Sequence, residues 1–313
     1  MRPDVLVVFP LRPRAMEQLE ASYRLHHLWQ AQDQDQLLRD VGSSVRAIVT
    51  TGERGASAAL IDRLPALEIV ACFGVGIDAI DRAACARRAI PITNTPDVLT
   101  EDVADMGLVL MLAVLRDIRG GDLWVREGRW RIEGPMPLTV RAGGKRLGIL
   151  GLGRIGKALA RRAEAIGMTV AYHGRRRQPD VPYPYHASLV DLARDVDVLT
   201  LTCPGGAETR GLVTAAVLDA LGPQGWLVNI ARGSVCDEPA LVQALVERRI
   251  AGAALDVFAD EPNVPEALLA LDNVILQPHA ASATVETRDA MAQLVVDNLA
   301  AHFAGRPLLT VVG

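Results

Sequence analysis

Lys145-Arg146-Leu147-Gly148-Ile149-Leu150-Gly151-Leu152-Gly153-Arg154-Ile155-Gly156 is a short apolar run that ends in three glycines at the spacing G-x-G-x-x-G. The apolar run reads as a buried strand. After it, Ile155, Leu159, Ala163 and Ile166 recur on one face of a helix. Between strand and helix the glycines serve a tight turn, a close approach of backbone to a pyrophosphate, and close helix–strand packing. The helix N-terminus then presents its N–H groups to the phosphates. Gly151, Leu152, Gly153, Arg154, Ile155 and Gly156 are therefore candidate dinucleotide-binding residues.

Strand and helix patterns alternate on both sides of this stretch. Downstream, Thr169–His173, Asp197–Thr202, Trp226–Ile230, Ala253–Val257 and Val274–Gln277 read as further strands, six in all, as a doubly wound dinucleotide fold requires. Upstream, Val5–Phe9, Val45–Thr50, Ile69–Phe73 and Pro91–Asn94 are short apolar runs separated by amphipathic stretches such as Arg14–Ser22 and Ala56–Leu64. That is the βαβ pattern of a second parallel sheet, flavodoxin-like in type. Asp97-Val98-Leu99 lead from Pro96 into a long apolar helix over about 100–120, with Thr100 as N-cap and Glu101 and Asp102 in its first turn. A final helix is expected over Val285–Phe303, after which the chain returns to the first domain. The expected class is α/β with two domains. Residues 1–96 and 288–313 form a flavodoxin-like substrate domain, and 97–287 a Rossmann domain.

Composition narrows the function. Of 313 residues, 50% are hydrophobic and 22% charged, enough for sizeable cores. A net charge of -4 gives no general attraction to nucleic acid or anionic membrane. The longest apolar run, Met106–Leu115, is half of the roughly 20 residues a membrane span needs. Cys72, Cys85, Cys203 and Cys236 are scattered without C-x-x-C, which argues against a zinc site or a disulfide framework. A reducing, cytoplasmic setting is expected, with no metal, no nucleic acid and no membrane partner.

The end of the second dinucleotide strand chooses the cofactor. An Asp or Glu usually stands there to accept from a ribose 2′-hydroxyl. Here Gly174-Arg175-Arg176-Arg177 follows Thr169–His173. The glycine leaves room, and the arginines suit a 2′-phosphate by charge and forked geometry. NADP(H) is expected in preference to NAD(H).

Ligands of doubly wound sheets bind outside the carboxyl ends of the strands. Reading those ends in turn yields Arg232, then Asp256 with Glu261, then His279 with Ser282. Reduction of a 2-keto acid needs this set. A histidinium can protonate the carbonyl oxygen, a carboxylate can orient and charge the imidazole, and an arginine can clamp the substrate carboxylate. Arg232, Glu261 and His279 are the expected catalytic residues.

With Gly151–Gly156, Asn229-Ile230-Ala231-Arg232-Gly233, Asp256–Pro262 and Pro278–Ser282 together, the chain resembles the D-isomer-specific 2-hydroxyacid dehydrogenase family over its whole length. The resemblance implies Arg232 as substrate binder, Glu261 as partner of the acid His279, and Asp256 near the nicotinamide. It implies that the loop Phe73-Gly74-Val75-Gly76-Ile77-Asp78 offers the Val75 and Gly76 N–H groups to the substrate carboxylate. It also implies that Thr100, Cys203, Pro204, Thr209, Ile230 and Ser282 line the cofactor. Asn94–Thr100, Gly305–Thr310 and the arginines after Gly174 are similar to the hydroxyphenylpyruvate and glyoxylate/hydroxypyruvate reductase group. That group implies a homodimer, with residues Trp130 to Met136 as an arm reaching the partner subunit. Met136 stands where animal glyoxylate/hydroxypyruvate reductases place a tryptophan. The expected activity is NADPH-preferring reduction of glyoxylate, hydroxypyruvate or aryl pyruvates to D-2-hydroxy acids. The alternatives are an NAD-dependent phosphoglycerate-type dehydrogenase and a non-catalytic, dinucleotide-sensing corepressor-like protein.

Overall fold

The computed structural model describes residues 2–312, so the outermost expected domain limits, Met1 and Gly313, lie outside the described residues. β1 (Asp4–Val7), β2 (Arg24–His27), β3 (Val45–Thr51), β4 (Ile69–Phe73) and β5 (Ile92–Thr93) form one parallel sheet in the order β2-β1-β3-β4-β5. This is the strand order of flavodoxin-like folds. Its inner strands β1, β3 and β4 are largely apolar because both of their faces are covered. Leu6, Ile48, Val70 and Cys72 pack into one core, while Val5, Val7, Ala47, Val49, Ile69 and Ala71 pack into the other. The second core is closed by Ala292, Val295, Val296 and Leu299 of the helix Val285–Phe303. Thr284 caps that helix by accepting the Thr287 N–H. The chain then runs back along β5, where the Val312 N–H donates to the Ile92 carbonyl at 2.8 Å.

A second parallel sheet holds β6 (Arg146–Leu150), β7 (Thr169–His173), β8 (Tyr185–His186), β9 (Val198–Leu201), β10 (Trp226–Asn229), β11 (Gly252–Leu255) and β12 (Val274–Leu276). Their order is β12-β11-β10-β9-β6-β7-β8. Strand order reverses between β6 and β9, which opens the crevice where doubly wound sheets take their ligands. The helix Thr100–Leu115 packs on the helix Arg154–Ala165, with Gly107 against Leu159 and Ile230. Arg162 adds ion pairs to Asp105 at 2.6 Å and Glu101 at 2.8 Å.

The chain divides into two compact units after Leu99 and after Ser282. These divisions differ by a few residues from the cuts expected at 96/97 and 287/288. The helix start explains the second difference: its capping residue Thr284 belongs with the helix, and Thr287 Oγ1 donates to the Val98 carbonyl.

Three other expectations are corrected. The long helix stops at Leu115 instead of reaching Gly120. Asp117 adopts φ 43°, and its side chain accepts the Gly120 N–H to start a separate helix, Ile118–Arg126. A seventh strand, β8, joins the dinucleotide sheet; it has two residues and follows the prolines Pro179, Pro182 and Pro184. β2 joins the first sheet although Arg24-Leu25-His26-His27 carries no apolar run, because it is a partly exposed edge. Among the described residues no helix is long and apolar enough to cross a membrane.

Candidate functional site

The ends of three neighbouring strands, β10, β11 and β12, carry the expected catalytic residues Arg232, Glu261 and His279. After β10, the buried Asn229 side chain accepts the Ala231 N–H and donates to the Arg232 carbonyl, each at 3.0 Å. This pins the turn that presents Arg232. Arg232 also donates to the Ala231 carbonyl at 2.7 Å. The next residue must be glycine, because a Cβ on Gly233 would lie 1.9 Å from the Phe258 carbonyl carbon. That close approach brings the turn after β10 against the turn after β11. There Glu261 Oε1 accepts the Phe258 N–H at 2.9 Å. Its other oxygen, Oε2, lies 2.7 Å from His279 Nδ1.

His279 occupies a left-handed backbone conformation, φ 50°. A non-glycine residue there costs about 1–3 kcal/mol and persists only where its surroundings over-determine it. Asp256 supplies that constraint. Its carbonyl accepts the His279 N–H at 2.8 Å, and its carboxylate oxygens accept the Ala280 and Ala281 N–H groups at 2.7 and 3.0 Å. Asp256 is 1% exposed, and burial pushes its carboxyl above the usual range against those hydrogen bonds. Half-burial also works against the Glu261 carboxylate. The hydrogen bonds from His279 and the Phe258 N–H, with the charges of His279 and Arg232, outweigh it and hold Glu261 below its usual value. Arg232, Glu261 and His279 are thus one electrostatic unit.

The residues expected to hold a dinucleotide lie at the ends of β6, β7 and β9. Gly151 has φ 96°, and a Cβ there would sit 2.6 Å from the Cys203 backbone, so only glycine allows the close approach of the two strand ends. Gly153 directly precedes the helix Arg154–Ala165, and no side chain caps its first turn. Open space surrounds Gly153 and Gly174. An uncapped helix N-terminus beside open glycines fits a pyrophosphate. Cys203 is buried at the end of β9, which pushes its thiol up to about 11. Thr209 Oγ1 donates to the Pro204 carbonyl at 2.7 Å and so folds the loop between them. Ile230 is buried against Gly107. Thr100 is the first residue of its helix and Ser282 lies in the turn after His279; both are half-buried.

In the other unit, the loop after β4 turns its carbonyls inward. Gly74 accepts the Thr95 N–H at 2.9 Å, Val75 accepts Asn94 Nδ2 at 2.9 Å, and Gly76 accepts the Cys72 thiol at 3.7 Å. Among the described residues, the Val75 and Gly76 N–H groups have no partner.

Comparison with known proteins shows the family of the chain. Residues 108–281 match the family described as D-isomer specific 2-hydroxyacid dehydrogenase, NAD binding domain. The chain is 49% identical over 308 residues to a hydroxyphenylpyruvate reductase of Plectranthus scutellarioides, covering 98% of each chain. It is equally identical, over the same length and shares, to a glyoxylate/hydroxypyruvate reductase of Arabidopsis thaliana. A crystal structure of an NADPH-dependent glyoxylate/hydroxypyruvate reductase from Sinorhizobium meliloti, in complex with NADP and malonate, superposes with a TM-score of 0.92 at 46% identity, covering 100% of this chain and 97% of that one. The chain belongs to the D-isomer specific 2-hydroxyacid dehydrogenases. It is an NAD(P)-dependent oxidoreductase.

In this 2-hydroxyacid dehydrogenase the basic turn after β7 is exposed, and Arg175 lies 3.7 Å from Glu208 in the loop after β9. Both side chains are more than four-fifths exposed, so the pair is weak. Reading strand ends in sequence order missed Glu208, since nothing in the chain links it to position 175. It also missed the part Asn229 plays in pinning the Arg232 turn, and Gln178, whose side chain meets Leu152 only across the fold. The arm expected from Trp130 to Met136 carries exposed Trp130 and Ile132, with Val125 and Leu138 exposed on either side of it in sequence.

Proposed function

We propose that this dehydrogenase reduces 2-keto acids such as glyoxylate, hydroxypyruvate or aryl pyruvates to D-2-hydroxy acids, with NADPH preferred and His279 as the general acid. The observation that carries the reading is the 2.7 Å contact of His279 Nδ1 with Glu261 Oε2, beside Arg232. Nδ1 is committed to Glu261, so Nε2 delivers the proton to the substrate carbonyl oxygen. Glu261 keeps the imidazole oriented and favours its charged form. Arg232 grips the substrate carboxylate and polarises the carbonyl. The N–H groups of Val75 and Gly76 are a second proposed anchor for a carboxylate. The cofactor, held by Gly151–Gly156 and the residues around Cys203 and Thr209, supplies the hydride when bound. Arg175 and Arg176 receive the 2′-phosphate in this reading.

The relatives named as hydroxyphenylpyruvate and glyoxylate/hydroxypyruvate reductases, and the NADP complex of the Sinorhizobium meliloti enzyme, support this substrate class and cofactor. The unit Thr100–Ser282 is proposed as the dinucleotide domain, the remainder as the substrate domain. The exposed apolar arm supports a homodimer, since large apolar side chains grouped at a surface mark interaction sites. Four free, buried cysteines support a reducing, cytoplasmic setting. The test is a steady-state panel of keto acids against NADPH and NADH. Turnover of small 2-keto acids with the higher kcat/KM for NADPH is expected. No turnover would leave a binding protein, and equal use of NADH would overturn the cofactor preference.

A further inference from the structure

Beside the arginine turn, one side chain joins two loops that the dinucleotide site needs together. Gln178 Nε2 donates to the Leu152 carbonyl inside the glycine loop at 2.8 Å. The Gln178 backbone N–H donates to Tyr172 Oη at 2.7 Å, and that hydroxyl lies 3.5 Å from the Gln178 carbonyl. Tyr172 is fully buried in β7, so it is a fixed post. At the other end of the turn, Tyr185 Oη donates to the Gly174 carbonyl at 3.1 Å. The segment 174–178 is thus held at both ends, and the Gln178 side chain ties it to the glycine loop.

We propose that Gln178 is a positioning residue for the 2′-phosphorylated cofactor: it sets the backbone that carries Arg175 and Arg176 in register with the loop that receives the pyrophosphate. This rests on the NADPH reading above. Arginine side chains are long, and fixing their backbone reduces the ordering cost when a phosphate binds. The glycine loop has its own constraints, namely the packing of Gly151 on Cys203 and a 2.8 Å bond from the Gly153 N–H to the Gly151 carbonyl. Loss of the Gln178 clip therefore uncouples the arginine turn from the pyrophosphate loop, while the tyrosine anchors of the turn and the glycine loop's own bonds remain. The effect falls on the 2′-phosphate and spares what NADP and NAD share.

The test compares dissociation constants for NADP+ and NAD+, measured by calorimetry on the whole enzyme. Four forms are needed: wild type, Gln178→Leu, Arg175→Ala/Arg176→Ala, and the triple variant. Gln178→Leu should weaken NADP+ by about threefold to tenfold, the scale of one hydrogen bond, and leave NAD+ within about twofold. In the double-arginine background it should weaken NADP+ no further, because the groups it positions are gone. Equal weakening of both nucleotides, an undiminished effect in the triple variant, or no effect would each overturn the proposal. If the arginine pair itself proved silent toward NADP+, the NADPH reading would fall and this proposal with it. A normal arginine effect with a silent Gln178→Leu would overturn the proposal alone. Should Gln178→Leu not fold, Tyr172→Phe removes the other anchor, and the same selective loss of NADP+ affinity is expected.

Discussion

The backbone N–H of His279 donates to the carbonyl of Asp256, and this single 2.8 Å bond begins the turn that holds the histidine at φ 50°. The Asp256 carboxylate completes the turn by accepting the next two N–H groups. The aspartate thus acts on the imidazole through the backbone.

Asp256→Asn tests that role. An amide cannot accept on both sides, so one N–H of the turn loses its partner in a buried site. A hydrogen bond to a charged group contributes about 1.5–3 kcal/mol, so kcat should fall about tenfold to a hundredfold. Steady-state kinetics at saturating cofactor decide it. A kcat within about threefold of wild type would show that the turn holds without the carboxylate.

His279→Gln keeps a similar shape but carries no proton. General acid catalysis contributes about 10²–10⁴ in rate, so kcat should fall by that order while cofactor affinity changes little. A variant retaining more than about a third of wild-type kcat would assign the proton to another group.

Glu261→Gln separates charge from hydrogen bonding. The contacts that hold Glu261 below its usual carboxylate value are those that favour a protonated imidazole. Reduction needs the protonated acid and declines as pH rises past its titration. Without the carboxylate, that decline should move to lower pH. The stability sign is separate. Because Glu261 is depressed, its contribution to folding is present above pH 4.5, its ordinary value, and is lost as pH falls through the depressed one. Glu261→Gln should therefore flatten the acid loss of stability in that window. An unmoved pH–rate profile would leave Glu261 a structural residue.

Arg232→Lys keeps the charge and loses the planar fork. KM for the keto acid should rise strongly and kcat should fall, since the same group grips the carboxylate and polarises the carbonyl. Near-normal kinetics would place the carboxylate elsewhere, with the Val75 and Gly76 N–H groups the alternative anchor.

Cofactor choice is tested at the basic turn. A charge-assisted hydrogen bond is worth about 1.5–3 kcal/mol, so two arginines could favour NADPH by about two to four decades. Their exposure and screening by salt place the effect at the lower end. Arg175→Ala/Arg176→Ala should weaken NADPH and leave NADH nearly unchanged, and Gly174→Asp should repel the phosphate. Glu208, 3.7 Å from Arg175, competes with a phosphate for the same guanidinium. Glu208→Gln should tighten NADPH, most visibly at low salt. The check is kcat/KM for both cofactors at one ionic strength. Equal use of NADH by the wild type would reduce the triple arginine to a solvated turn.

Local chemistry determined much of this protein from the sequence alone. The glycine loop between Leu150 and Arg154 needs no partner to be legible, because glycine spacing, strand and helix lie within one short stretch. Apolar runs such as Ile69–Phe73 and Thr169–His173 announced buried parallel strands with their bounds, since both faces of each sheet are covered. Arg232, Glu261 and His279 could be named because each follows a strand whose carboxyl end faces the crevice. The break after Leu115 also lies in local sequence, as Asp117 ahead of Ile118 is an N-cap signal. Tertiary structure alone decided the rest. β2 and β8 are short polar edges that become strands only because a neighbour offers hydrogen bonds. The grip of Asp256 on the His279 turn, the pairing of Arg175 with Glu208 and the clip from Gln178 to Leu152 each join residues more than 20 positions apart. Local sequence patterns extend over one strand or a few helical turns, whereas these contacts exist only once the sheet has set its strand ends side by side.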